Sequence, residues 1–293
     1  MYRYISTVAL ATLIPMKANA FEVLSSIKPF EMISHELILD GQTTSSLLNA
    51  NASPHDYAMK PSDVKRLRSS DLVVWFGPDL ESFLAKSLDG NTNVVKITDI
   101  DGLPLREFGS DDHGHEGHHH GSYDPHVWLG PAQAVIVAQA ISQKLIEVDP
   151  DNQEKYAAKL ADFKRNLSLT EDKIKHTLAP IKEEGYYVFH DAYGYFESYF
   201  GLNNLGHFTV SPERKPGAKT LINIKSTLKS EQVKCVFAEP QYTPAVIETV
   251  TRGTGTHIGR LDPLGTDIAI EKGSYFTFLE SISMSYSDCL LQE

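Results

Sequence analysis

The chain has 293 residues, 41% of them hydrophobic and 22% charged, with twelve histidines, two cysteines and a formal net charge of −11. That length suits two packed lobes better than one core. The surplus of acid, with no basic stripe anywhere, repels phosphate backbones and excludes nucleic acid as a partner.

Residues 1–20 read as a cleaved secretory leader. An apolar stretch follows Arg3, and Ala18-Asn19-Ala20 supplies a small-x-small cleavage site. Pro15 and Lys17 interrupt the run short of the roughly 20 apolar residues a membrane span needs. Cleavage takes the charge to −13, because the leader carries Arg3 and Lys17 and no acid.

Beyond the leader, apolar β-rich runs alternate with helical patterns, which predicts βα units and parallel sheets. Residues 21–26 form a strand and 29–39 a helix. DLVVWF (71–76) is a buried strand, and Gly77-Pro78 turns into a helix over 79–88. The second half repeats the pattern: strand 186–190, helix 192–200, strand 234–238, then a helix around 244–250. DLVVWFGPDLESFL and VKCVFAEPQYTPAVI share the order strand, x-Pro turn, helix, which favours two lobes of similar build. Between them a helix is predicted from 151 to about 178. Tyr156, Leu160, Phe163, Leu167, Ile174 and Leu178 lie along one stripe, between Pro150 at the start and Pro180 at the end. The expected division is an N-terminal lobe over 21–150, a bridging helix over 151–180 and a C-terminal lobe over 181–293. In an oxidising compartment the even pair Cys235 and Cys289 reads as a disulfide pinning the C-terminal helix to the second lobe. The alternative is two unrelated buried thiols.

The histidines carry the chemistry. His113, His115, His118, His119 and His120 crowd residues 109–121 (GSDDHGHEGHHHG), a segment without apolar residues that predicts a mobile loop. His55 and His126 each follow a proline and precede a helix. His190 ends a strand, where ligands collect in α/β sheets. Three imidazoles from distant parts of the chain make a nitrogen-rich, borderline-soft site suited to zinc, copper or nickel, with one position left for a carboxylate or water. Asp191 and Glu239 are candidates for orienting the rings from behind. His207 and His257 have no special context.

SPHDY, DPHVWL and FHDAYGYF, with FAEPQ and LDPLGTD downstream, resemble the zinc-specific solute-binding proteins of ABC importers, the ZnuA type within the cluster A-I family. The resemblance covers the chain from about residue 21 to its end. It implies an α/β fold of two (β/α)4-type lobes joined by one long helix, with Zn2+ in the cleft as transported ligand. It also implies that His55, His126 and His190 bind the ion, that Asp262 stands at the acidic fourth-ligand position of manganese-type relatives, and that Cys235 and Cys289 form the family disulfide. The implied product is a periplasmic, monomeric capture protein. Its partners would be an inner-membrane ABC permease with a cytoplasmic ATPase, and a periplasmic zinc donor. Two departures bear on the metal. Pro54 replaces the acidic residue that some zinc-type members place before the first histidine, and His190 stands where manganese-type relatives carry glutamate.

Two rival functions compete with this reading. His115-Glu116-Gly117-His118-His119 spells HExxH, but a metalloprotease needs that motif on a stable helix, and glycines at 114, 117 and 121 oppose one. An adhesin would expose an apolar patch for a host surface, and no such patch is evident in the sequence. The expectation is a binding protein and not an enzyme.

Overall fold

The apolar runs form the inner strands of two sheets. The computed structural model describes residues 20–108, 123–210, 212–213, 216–230, 233–243 and 245–292. All but Ala20 of the predicted leader, and the whole of the histidine-rich segment 109–121, lie outside the described residues.

The first lobe comprises β1 (Glu22–Ser25), α1 (Lys28–Leu37), β2 (Thr43–Ser46), α2 (Pro61–Ser69), β3 (Leu72–Trp75), α3 (Ala85–Leu88), β4 (Val94–Lys96) and α4 (Pro131–Val148). Helix α5 (Gln153–Leu178) follows. The second lobe comprises β5 (Gly185–His190), α6 (Gly194–Phe200), β6 (Asn204–Thr209), α7 (Ala218–Ser230), β7 (Val233–Ala238), α8 (Ala245–Thr251), β8 (His257–Arg260) and α9 (Ser274–Leu290). The sheets run β2-β1-β3-β4 and β6-β5-β7-β8, and every pairing is parallel. This is the α/β architecture of two four-stranded lobes expected from the sequence. The two segments likened above hold β3 and β7, the third strand of each order.

Alternation along β5 shows why its sequence is apolar up to its final residue, His190. Tyr186 and Val188 enter the large core shared by both lobes, while Tyr187 and Phe189 enter a smaller core with Phe208 and Ile224 on the opposite face. A strand covered on both sides has no face to leave polar.

Helix α5 has 26 residues and is therefore about 39 Å long. Pro150 opens a short 3-10 turn ahead of it. Tyr156, Phe163, Leu167, Ile174 and Leu178 are buried, and Thr170 fills the seven-residue gap in the stripe. The helix packs on α1 and α4 of the first lobe and on α9 of the second, so one rigid element contacts both. Cys235 on β7 and Cys289 on α9 form a disulfide, with Cα atoms 6.2 Å apart.

One prediction needs correction. Residues 79–88 do not form a continuous helix: a 3-10 turn spans Ser82–Leu84 and only Ala85–Leu88 is α-helical. Glu81 turns inward instead, where its carboxylate accepts the N–H groups of Phe76 and Gly77 and the Ser26 hydroxyl. The backbone there leaves helical geometry, at φ −110°, ψ 62°.

Candidate metal centre

Each lobe sends residues from the carboxyl ends of its strands into the cleft. His55 lies in the connection after β2, where Ser53 Oγ accepts the His55 N–H at 3.2 Å and Pro54 is buried. His126 lies after β4, at the start of the 3-10 turn Val127–Leu129. His190 is the last residue of β5. One donor nitrogen from each of the three lies within 4.8 Å of the others. His126 and His190 are buried, and His55 is partly exposed.

The two buried rings are oriented from behind. Asp124 Oδ1 receives both the His126 N–H (3.0 Å) and Nδ1 (2.7 Å), and Glu239 Oε1 lies 2.7 Å from His190 Nδ1. A carboxylate acceptor keeps the proton on Nδ1 and leaves the Nε2 lone pair free. Those two Nε2 atoms face each other at 3.2 Å. Two nitrogens each bound at 2.0–2.1 Å to a tetrahedral zinc lie about 3.3 Å apart, so the pair already has the required bite.

Burial alone would lower the His190 pKa. The Glu239 charge and hydrogen bond, helped by Asp124 and Asp191, outweigh it and raise the value above that of free histidine. The same electrostatics that attract a proton to this nitrogen attract a divalent cation.

Arg106 ties the surroundings together. Its Nη1 donates to Asp124 (2.8 Å) and its Nη2 to both oxygens of Asp191 (2.9 and 3.0 Å). Asp191 thus holds the arginine and not an imidazole, which separates the two carboxylates left open by the sequence. Gly194 makes room for the arrangement, since a Cβ there would overlap the guanidinium. The Tyr195 hydroxyl closes the ring, accepting Arg106 N–H and donating to the Asp124 carbonyl, each at 2.9 Å. Sequence reasoning missed Asp124 and Arg106. The Asp124-Pro125-His126 spacing, which permits an acidic side chain to cap the N–H two residues on, was the available signal for the first.

Asp262 does not join the histidines. Its oxygens accept from Gln241 Nε2 (2.9 Å), Leu264 N (3.1 Å) and Thr266 N (2.6 Å), so they hold the turn after β8. His207 and His257 lie on β6 and β8, outside the cluster. Trp128, beside His126, donates its indole N–H to the Pro263 carbonyl at 2.7 Å, and Phe189 packs against Tyr242 with the rings tilted. These aromatics pack the cleft.

The space among the three rings is about 10 Å³, room for a single ion or water. A far larger groove, about 820 Å³, lies beside β4 and α4 and contains no histidine. Size alone does not locate the site; donor chemistry does.

The family model for the periplasmic zinc-uptake complex component A, ZnuA, matches residues 23–289. The chain is 42% identical over 296 residues to the high-affinity zinc uptake system protein ZnuA of Yersinia pestis, with 94% of this chain and 93% of that protein covered. It is 33% identical to the protein of the same name from Brucella abortus (strain 2308), with 92% and 91% covered. A ZnuA crystal structure superposes with a TM-score of 0.79 at 25% identity, covering 92% of this chain and 99% of that one. The periplasmic zinc-binding protein TroA from Treponema pallidum superposes at 0.80 with 17% identity over 93% and 100%, a likeness of fold alone.

Proposed function

The chain belongs to the ZnuA family of periplasmic zinc-uptake components, and we propose that it captures one Zn2+ on His55, His126 and His190 and delivers it to an ABC-type importer. Its work is binding and release, with no covalent step. The observation that carries this reading is the facing pair of Nε2 atoms at 3.2 Å, each ring backed by a buried carboxylate. Three neutral imidazoles satisfy zinc, which accepts four-coordination without geometric penalty, and disfavour manganese, the weakest binder in the divalent order. With Asp262 engaged in its own turn, water takes the fourth position.

The leader is removed after Ala20 on export to the periplasm, where the zinc-loaded protein meets a membrane permease driven by a cytoplasmic ATPase. No described helix is long and apolar enough to cross a membrane. The five histidines of 109–121 form an auxiliary, weaker zinc-binding segment. None of the relatives described above is named as an enzyme, and the HExxH run within that segment has no catalytic role in this reading.

The test is elemental analysis of the purified protein, followed by zinc titration of His55→Ala, His126→Ala and His190→Ala and an assay for peptidase activity. Each substitution is expected to weaken the tightest binding event strongly, with no peptide cleaved. A histidine whose loss leaves zinc affinity unchanged is not a ligand, and zinc-dependent cleavage would overturn the reading.

A further inference from the structure

Of the three imidazoles, the one from the connection after β2 is placed through contacts with the opposite lobe. The Tyr242 hydroxyl, from the second lobe, donates to Ser53 Oγ at 2.9 Å. The same oxygen accepts the His55 backbone N–H at 3.2 Å. A serine hydroxyl has two lone pairs, so it serves both donors at once. Three residues earlier, the Ala50 carbonyl accepts from Gln241 Nε2 (3.1 Å) and Thr266 Oγ1 (3.3 Å), both also of the second lobe. Asp262 holds Gln241 in place for this contact at 2.9 Å. Tyr242 is itself fixed, its ring 5.0 Å from that of Phe189, the residue before His190.

We propose that Tyr242 is a positioning residue for His55. Its hydroxyl crosses the cleft to fix the serine that caps the His55 backbone, so contact between the lobes helps to place the third imidazole. The proposal rests on His55 being a zinc ligand. It gives Asp262 a role within the second lobe as support for Gln241.

The experiment measures zinc affinity and dissociation rate, by competition with a chromophoric chelator, for the mature chain and four variants: Tyr242→Phe, Ser53→Ala, their double and Ser53→Thr. Tyr242→Phe keeps the ring on Phe189, so the core is undisturbed. Each of the first two singles is expected to loosen zinc roughly three- to tenfold, the net worth of one hydrogen bond, through faster dissociation. The double should be no looser than the weaker single, because both remove one linkage. Ser53→Thr keeps the hydroxyl and should stay near wild type. Singles with wild-type affinity, losses that multiply in the double, or a fall in melting temperature with the zinc dissociation rate unchanged would each overturn the proposal. His55→Ala is the reference. If it binds zinc normally, the ligand assignment itself fails; if it weakens zinc while Tyr242→Phe does not, only the positioning role fails.

Discussion

Glu239→Gln removes a charge from the site with little change of shape. Glu239 Oε1 lies 2.7 Å from His190 Nδ1, while Oε2 is buried without a hydrogen-bond partner. An amide oxygen facing His190 keeps that bond, and the amide nitrogen takes the place of Oε2, beside the buried Tyr193 hydroxyl, whose oxygen can accept from it. The lost carboxylate charge stands roughly 6–7 Å from an ion on Nε2, and at an effective dielectric of about 20 its attraction for a dication is about 5 kcal/mol. Part of this cancels, because in the zinc-free protein Glu239 already draws a proton onto His190, as the raised pKa of that ring indicates. The net loss should fall in the range typical of partners behind a metal ligand, about 10- to 100-fold in affinity, or about 1.4–2.7 kcal/mol. Chelator competition at mildly alkaline pH, where protons compete least for the ring nitrogens, measures it. Glu197→Gln is the control: Glu197 is equally buried but bonds Tyr186, Tyr286 and Asn204 and touches none of the three histidines. Wild-type zinc affinity in Glu239→Gln, or an equal loss in the control, would refute the argument that the carboxylate tunes the ligand.

Gly194→Ala should displace the Arg106 guanidinium from Asp124 and Asp191 and weaken zinc about tenfold; unchanged affinity would remove Arg106 from the support of the site. Asp262→Ala should weaken zinc less than any of the three histidine substitutions, and titration ranking it above them would return Asp262 to the coordination shell. Reducing Cys235–Cys289, which are 54 residues apart, should release about 4 kcal/mol of unfolded-chain restraint, seen as a lower melting temperature with zinc still bound. Burial pushes the Glu81 pKa up to about 7 against four hydrogen bonds that lower it. Between its unfolded value and about 7 the native state therefore binds more protons, so stability is lost as pH rises through that window. Glu81→Gln should remove about 3 kcal/mol of that slope, and urea midpoints that run parallel for both proteins from pH 4.5 to 7.5 would contradict it.

Local patterning made much of the fold legible. A doubly buried strand such as β5 must be apolar along its length up to the end that meets the cleft, and α5 must repeat its apolar residues at helical spacing, so both announce themselves in a short window. The three histidines were legible for a related reason: each stands where a proline or a strand end already restricts the backbone. Strand β2, by contrast, reads Thr-Thr-Ser-Ser and is only partly buried. A parallel edge strand is held by hydrogen bonds to its neighbour, and those leave no hydrophobic signature. The failed helix after β3 has a similar origin. Its residues are tolerable helix formers, but Glu81 meets the backbone donors of Phe76 and Gly77 and the Ser26 hydroxyl, the last 55 residues away in sequence. The support of the metal centre was least legible of all. Whether an acidic residue binds an ion, orients an imidazole or caps its own turn depends on which donors lie within about 3 Å of its oxygens. For Asp124, Asp191, Glu239 and Asp262 those donors come partly from distant segments. Sequence determined which residues were available to bind zinc; only the packing of the two lobes against each other decided that three of them meet, that Glu239 and Asp124 stand behind them, and that Asp262 does not.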